Sequence, residues 1–424
     1  MKNIIELLKA NPRVSDYKIN LTQKESYECF YVKGKLETVR CTDTCDKIVT
    51  VYADHDGFKG DSQFFVYAST TEEELAQLIE SAAQKALLLD NAMYTLPEQK
   101  TGEFTIPSNF ADVPLAELAQ QIAEAVFEAN TVEHADLNSV EVFVNRHTDT
   151  VLNSRGIHKT QVRYDAMVET IPTYNGESES VELYHQYNFS SFDAQAVKEE
   201  IAQKLQEVKA RATAIKPDFQ LNCKVILNKQ ELAELFSNIC HDLNYATVYS
   251  HAGLFHKGDD IQHAPTGDKI TITMAGSLPG NIRSSAFDGD GMALKDTTIV
   301  EDGKAVAYYG ANRFGQYLQE IPTGNLRCAQ VSLGTACDHC LSEGPYLEVL
   351  SMSGLQVDFF NDYIGGEIRL AYYHDGETLT PVTGISITGS LKQVLSSIRL
   401  SQTACVYDGY QGPHKAILQN MKIF

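Results

Sequence analysis

The chain has 424 residues, 43% of them hydrophobic and 21% charged, and its formal net charge at pH 7 is -21. This composition is ordinary for a globular protein, and the length predicts about two or three domains. The acidic balance, with Lys and Arg scattered along the chain, argues against a nucleic-acid-binding protein, because such binding needs clusters of positive charge.

The N-terminal segment predicts a short amphipathic helix rather than a signal peptide, because Glu6 and Lys9 interrupt its apolar residues. No stretch approaches the roughly 20 apolar residues that a membrane span requires. The nine cysteines are irregularly spaced and odd in number, which indicates reduced thiols rather than a disulfide framework. We therefore expect a cytoplasmic protein that contacts neither membrane nor nucleic acid.

The first half of the chain predicts a mixture of strands and helices. Alternating apolar and polar residues over 24–69 are typical of hairpins, and Thr71 is positioned to cap the helix that follows. A helix over 113–130, three strands and a long helix over 193–214 repeat this order. Pro217 marks the predicted boundary, so residues 1–217 form an N-terminal α+β region with sub-parts of about 1–100 and 101–217.

The second half, residues 218–424, predicts a β-rich domain with few helices. It opens with a strand over 223–228 and a helix that Asn228 can cap, with Glu231 in the capping-box position. Short strands broken by Gly, Asp and Asn follow, and an Asp-Gly pair at 375–376 predicts a hairpin turn. The predicted fold class is α+β, a two-part N-terminal α/β region followed by a β-rich C-terminal domain.

Generic catalytic signatures are missing from the sequence, which contains no GxSxG, no GxGxxG after a strand, no HExxH and no Walker loop. Two DxDG segments, Asp54–Gly57 and Asp288–Gly291, predict turns, because neither continues as a calcium-binding loop. Cys337 and Cys340 form a lone CxxC motif, which predicts two ordinary loop thiols because no second CxxC completes a zinc site.

Three of the twelve histidines lie close together, at positions 241, 251 and 256. His241 falls opposite the apolar stripe of the helix after Asn228, so it is predicted to face solvent, a cleft or a partner. His251 and His256 follow in a loop, and no two of the three have i, i+4 spacing. Spacing alone therefore leaves a metal site and solvated histidines both open. The stripe comprises Leu232, Leu235, Phe236, Ile239 and Leu243.

The segment Arg283–Tyr309 resembles the hallmark stretch of the TldD/PmbA family, in which an FDxxG turn precedes a strand, an ExG turn and a second strand. Four further blocks resemble family segments in the correct order along the chain, namely residues 56–60, 323–327, 366–372 and 381–395. The resemblance covers essentially the whole chain, and the order of its blocks makes it more specific than any single motif.

The family is one of intracellular metallopeptidase-related proteins that pair as dimers around a proteolytic chamber. Active TldD-like members carry HExxxH on the helix that opens the second domain, and a cysteine near the C-terminus completes the metal site. Here that motif falls on residues 236–241, with Phe236 in place of a ligand, Ser237 in place of the general base and only His241 kept. Cys405 falls where the family's cysteine lies.

The resemblance therefore implies the PmbA (TldE-like) branch, whose members lack HExxxH and accompany a TldD-like partner. On this interpretation the chain has no catalytic residue, needs no cofactor and takes part in peptide proteolysis or maturation. Its partner would be a TldD-like paralogue or a second copy of itself, and its substrate a peptide. The resemblance does not indicate which residues bind that peptide.

Two alternatives stay open at this point. The chain could be a divergent metallopeptidase active by itself, with zinc or iron held by His241, Cys405 and one of His251 or His256. It could instead be a non-enzymatic interaction protein, as the family's older name, modulator of DNA gyrase, suggests. The acidic charge argues against direct DNA contact in that case.

Overall fold

The computed structural model describes residues 2–98, 100–176 and 180–424. The elements of the first half are α1 (Lys2–Ala10), β1 (Asp16–Val32), β2 (Lys35–His55), β3 (Phe58–Phe65), α2 (Glu72–Ala86), β4 (Thr101–Thr105), a 3-10 turn (Asn109–Asp112), α3 (Leu115–Glu128), β5 (Ala135–Asn153), β6 (His158–Asn175), β7 (Ser180–Glu182), β8 (His185–Phe189) and α4 (Ala194–Thr213).

The second half is built of shorter strands. Its elements are β9 (Lys224–Asn228), α5 (Lys229–Asp242), α6 (Tyr245–Tyr249), β10 (Ile272–Ala275), β11 (Thr297–Glu301), β12 (Lys304–Ala305), α7 (Asn312–Tyr317), β13 (Cys328–Val331), α8 (Asp338–Ser342), β14 (Tyr346–Met352), β15 (Gln356–Asp358), β16 (Tyr363–His374), β17 (Leu379–Val382), β18 (Ile385–Ser390), α9 (Leu391–Ser397), β19 (Arg399–Leu400), β20 (Ala404–Tyr407), β21 (Tyr410–Pro413), β22 (Lys415–Leu418) and β23 (Lys422–Ile423).

One sheet, in the order β3-β2-β1-β5-β6-β4, holds the first half together, and β7 and β8 also pair with β6. Long antiparallel ladders join β1 to β2 and β5, whereas β4 runs parallel to β6. Apolar residues of the sheet gather under α2 in one cluster and under α3 and α4 in another. The intermixed helices and strands confirm the predicted α+β class.

The helix α2 begins as the sequence predicts. The Thr71 hydroxyl oxygen accepts a hydrogen bond from the Glu74 N–H, and the Glu74 carboxylate accepts one from the Thr71 N–H. These two bonds form a capping box. One face of the helix is buried on the sheet, comprising Leu75, Ile79, Ala82, Ala83 and Ala86. Apolar periodicity and capping chemistry therefore set this element locally.

Two sheets surround α5 in the second half. Their strand orders are β12-β11-β10-β13-β21-β20 and β19-β22-β9-β14-β16-β18-β23, with β15 and β17 also paired to β16. The helix packs against strands of both, because its predicted apolar stripe is entirely buried between them. This confirms the predicted stripe, whose members are Leu232, Leu235, Phe236, Ile239 and Leu243.

Two predicted details of the second half are wrong. Asn228 occupies the N-cap position of α5 but makes no capping hydrogen bond, because its side-chain amide donates to the Val349 carbonyl oxygen at 2.5 Å. Cys340 is not a loop residue, since it lies in the short helix α8, while Cys337 is the N-cap of that helix and its Sγ accepts the Cys340 N–H at 3.4 Å. In both places the side chain forms its hydrogen bond with a neighbouring strand or helix, which the local sequence does not indicate.

The two DxDG segments are turns, as predicted. Asp56 and Gly57 have φ angles of 47° and 86° at the β2–β3 hairpin. In the second turn Asp288 Oδ1 accepts the N–H groups of Asp290 and Met292, and Gly291 has a φ of 76°. Positive φ angles are the reason for glycine in such turns.

The loop over residues 285–291 joins the two halves. Lys18 Nζ lies 2.5 Å from Asp290 Oδ1, and the buried Lys159 donates to the Gly291 carbonyl oxygen at 2.7 Å. Gln161 Oε1 accepts the Ala286 N–H at 2.8 Å. The second half is thus fixed to one face of the first sheet by polar contacts. Among the described residues, no helix has the length and apolar character to cross a membrane.

Candidate functional site

The face of α5 that is not buried borders a cavity of about 540 Å³. The helical repeat places residues three, four, seven and eleven positions apart on one face, so polar side chains along α5 share this wall. The helix contributes Gln230, Ala233, Glu234, Ser237, Cys240 and His241, and the facing wall consists of Met274, Tyr309, Leu326, Arg327, Ala329 and residues 407–410.

His241 lies at the cavity wall with an exposed side chain, as its position off the apolar stripe predicts. Its Nε2 lies 3.4 Å from the Thr247 hydroxyl, at the first residues of α6. An accessible imidazole here could bind a cation or exchange a proton with a bound molecule. Nothing else in the predicted motif region offers the same chemistry, because the neighbouring Cys240 is buried and burial raises its pKa to about 12.

The side chains at the first two positions of the segment that aligns with HExxxH, Phe236 and Ser237, point in different directions. Phe236 is fully buried and stacks on Tyr410, with ring centroids 6.0 Å apart and an interplanar angle of 6°. Ser237 is exposed to the cavity instead. A metal ligand at position 236 would therefore enter the apolar core of this chain, whereas a side chain at 237 reaches the cavity.

The other predicted ligands lie apart from His241's cavity wall. Cys405 in β20 is half-buried with its Sγ 3.7 Å from the Pro413 carbonyl oxygen, and burial raises the pKa of its thiol to about 12. A thiol that stays protonated at neutral pH is a poor metal ligand. His256 is 71% exposed beside Asp259, and His251 is exposed in the turn after α6.

These side chains do not form a donor set for zinc or iron. Within residues 2–98, 100–176 and 180–424, no group of three His, Cys, Asp or Glu side chains is close enough together to hold a metal ion. Catalytic zinc usually takes three protein ligands and a water. We derive no chemical step through a metal, and ligation by His241 and Cys405 stays a prediction.

A second cavity, of about 290 Å³, lies between the two halves and shares Arg327 with the first. Sequence reasoning did not identify it. Arg163 and Asp149 reach it from the long sheet, while Arg283 and Asp288 reach it from the other half. Its lining residues are far apart along the chain and therefore give no local sequence pattern. The only sequence signal was that Arg283 and Arg327 lie within blocks that resemble family segments.

Buried charges lie beside the first cavity where α4 meets α5. Burial alone would raise the pKa of Glu200, but the hydrogen bond from His185 and the charge of Lys229 hold it far below its usual range. The Lys229 ammonium lies 2.5 Å from Glu200. Glu231 lacks such a cation in contact, and burial raises its pKa to about 7. Glu200 is therefore paired with a cation, whereas Glu231 forms no ion pair with any residue that the structure describes.

Comparisons with known proteins agree with this architecture. Residues 220–423 match the family model described as the PmbA/TldA metallopeptidase C-terminal domain. No curated protein sequence matches the chain. The crystal structure of TldE from Thermococcus kodakarensis is similar in fold, with a TM-score of 0.80 and 15% identity, over 100% of this chain and 99% of that chain.

Two further crystal structures, both of proposed modulators of DNA gyrase, share the fold. The protein from Thermotoga maritima has a TM-score of 0.77 and 12% identity, over 100% of this chain and 99% of that chain. The protein from Bacteroides thetaiotaomicron has a TM-score of 0.77 and 14% identity, over 100% of this chain and 97% of that chain. The second half of the chain therefore matches the C-terminal domain of the PmbA/TldA metallopeptidase family, and the whole chain shares the fold of TldE.

Proposed function

We propose that the chain is a non-catalytic, TldE-like subunit that binds peptide beside a TldD-like metallopeptidase in the cytoplasm. The observation that carries this proposal is the cavity-facing side of α5, which presents Glu234, Ser237 and His241 where an active family member would present HExxxH. Metal-assisted peptide hydrolysis needs several ligands around one ion and a general base. One imidazole, one hydroxyl and one carboxylate that accepts the Leu355 N–H do not supply them, and no three ligating side chains group together in the described residues.

The walls of this cavity suit an extended peptide. Tyr309, Tyr407 and Tyr410 offer aromatic surface, while Arg327 and Asp408 offer opposite charges at its edge. Such mixed walls favour a polar chain with apolar side groups, because rings pack against side chains and charged groups orient the backbone. The retained cavity supports a binding function in the absence of its own hydrolytic centre.

The test is to purify this chain and a TldD-like paralogue from its source separately and to assay each alone and both mixed. We expect no peptide cleavage by this chain alone and cleavage by the mixture that exceeds cleavage by the paralogue. Size-exclusion chromatography of the mixture checks that the two chains associate. Chelator-sensitive cleavage by the homogeneous single chain would overturn the proposal in favour of a divergent metallopeptidase.

A metal measurement separates these two outcomes further. Elemental analysis of the single chain should give far less than one zinc or iron per chain, and His241→Ala should leave that content unchanged. Near-stoichiometric metal that is lost in both His241→Ala and Cys405→Ala would identify a functional site in this chain instead.

A further inference from the structure

Two arginines lie at the junction of the two cavities without a partner for their charge. Arg327 lines both cavities, and Arg283 lines the smaller one beside it. In the described parts of the chain, neither guanidinium group makes an ion pair or a hydrogen bond. Partial burial lowers the pKa of Arg327, and the charges of Arg283 and Arg163 lower it further, so the three cations are close enough to repel each other.

The third arginine is already neutralised. Arg163 Nε lies 2.9 Å from Asp149 Oδ2, and its NH1 lies 3.5 Å from Asp165 Oδ2. The positive charge of Arg163 is therefore offset within its own sheet. This leaves Arg283 and Arg327 as the source of excess positive charge at the junction.

The acidic groups nearby are also occupied. Asp288 accepts N–H groups from Asp290, Met292 and Asn325, and burial raises its pKa. Asp408, on the rim of the larger cavity, accepts the side-chain amide of Asn188 at 3.1 Å. Neither carboxylate lies within 4.0 Å of a cation of the arginine pair, so neither acts as its counter-ion.

An unpaired arginine pair is unexpected in a chain with 56 acidic and 35 basic residues. Both side chains are exposed, so water screens their repulsion in part, and an anion that joins them would relieve what remains. Arginine is suited to this task because its planar guanidinium group donates two parallel hydrogen bonds to a carboxylate. The excess positive charge therefore indicates a ligand with negative charge.

We propose that Arg283 and Arg327 bind a carboxylate of a peptide, whose remaining residues extend along the larger cavity towards His241. The peptide nature of the ligand rests on the function proposed above, whereas the carboxylate site rests on the arginine pair itself. Arg327 connects the two, because it belongs to both cavities. The carboxylate is either the C-terminus of the peptide or an acidic side chain within it.

Fluorescence anisotropy with the purified full chain, without metal or partner, tests the site. The probes are a labelled Gly/Ala peptide with a free C-terminal carboxylate, the same peptide as its C-terminal amide, and that amide with one internal glutamate. We expect at least one carboxylate-bearing peptide to bind about tenfold or more tightly than the plain amide, as two charge-assisted hydrogen bonds would give. Raised salt should weaken this preference.

Arg283→Gln and Arg327→Gln should each reduce the preference to about twofold or less. Arg211→Gln is the matched control, because Arg211 on α4 borders neither cavity and its removal changes the net charge equally. Thermal melting of all three variants checks folding. Which peptide is preferred, the free acid or the internal glutamate, identifies the source of the carboxylate.

Equal binding of the three peptides, or an equal effect of all three variants, would overturn the site. Competition between inorganic phosphate and the labelled peptides tests whether the arginine pair binds free phosphate instead. If phosphate binds through Arg283 and Arg327 while the peptides are not distinguished, the site takes free phosphate and the proposal is wrong. Because no partner or cleavage enters this assay, a failure of the proposed subunit function would leave its result intact.

Discussion

The two halves of the chain bury their apolar residues differently. In the first half, strands as long as β1 and β2, of 17 and 21 residues, carry separate apolar clusters under separate helices. In the second half, shorter strands of two sheets close around α5 in one large cluster. The first arrangement leaves a broad polar sheet face, whereas the second leaves one polar helix face in a cavity. The cavity beside α5 is lined by second-half residues alone, whereas the smaller cavity that shares Arg327 with it forms where the two halves meet.

The largest expected effect comes from removing the central ring of the second half. Phe236→Ala should lower the free energy of unfolding by about 3–5 kcal/mol, because it empties a fully buried site stacked on Tyr410. Phe110→Ala is the matched change in the first half, where Phe110 is also fully buried and packs against Phe189. Urea denaturation measures both losses.

Hydrogen exchange of the same variants tests whether the halves are separate units. We expect Phe236→Ala to raise exchange mainly after residue 220 and Phe110→Ala to raise it mainly before that point, because each ring belongs to a different cluster. If either variant raised exchange equally in both halves, the chain would unfold as one unit, and the two halves would not be separate units of stability.

The next effect depends on pH and concerns the unpaired carboxylate on α5. Burial raises the pKa of Glu231 to about 7, so the folded state binds its proton more tightly than the unfolded state does. The stability that this provides is complete below about pH 4.5, the ordinary range of a Glu carboxyl, and is lost as pH rises to about 7. Glu231→Gln removes this pH-dependent loss of stability. The loss in the free energy of unfolding is at most about 3 kcal/mol, because each pKa unit corresponds to about 1.36 kcal/mol.

Urea unfolding at pH 5 and pH 8 checks this prediction. Glu231→Gln should be more stable than the unmodified chain at pH 8, and the difference should shrink at pH 5. Glu199→Gln is the control, because Glu199 is an exposed carboxylate on the neighbouring α4. A stability difference that is the same at both pH values would contradict the buried, protonated state of Glu231.

The smallest effect is kinetic and compares thiols inside and outside the cluster around α5. Hydrogen bonds from the Cys340 side chain and its backbone N–H lower the pKa of Cys337, whereas burial raises that of Cys405 to about 12. Iodoacetamide at pH 7 should therefore label Cys337 well before Cys405, as measured by peptide mass spectrometry. Exposed Cys41 in the first half is the reference. Equal labelling of Cys337 and Cys405 in the folded chain would contradict the prediction.

Features set by neighbours in sequence could be predicted. The apolar repeat of α5 predicts its buried stripe and the outward position of His241, and Thr71 predicts the start of α2. Features set by distant neighbours could not. Asn228 does not cap α5 because Val349 of an adjacent strand takes its amide. The smaller cavity between the two halves could not be predicted either, because the arginines that line it come from segments far apart in the sequence.

Gly291, the last residue of the loop that joins the two halves, restricts which substitutions the chain can accept. Gly291 has a positive φ, and a Cβ atom there would lie 2.5 Å from Cγ2 of Ile157, in the turn between β5 and β6. Lys159 contacts the backbone carbonyl oxygen of this residue, which every residue type has, so the restriction to glycine comes from the positive φ and from the close approach of Ile157. Random mutagenesis should therefore yield folded variants of Arg283 and Arg327 far more often than folded replacements of Gly291.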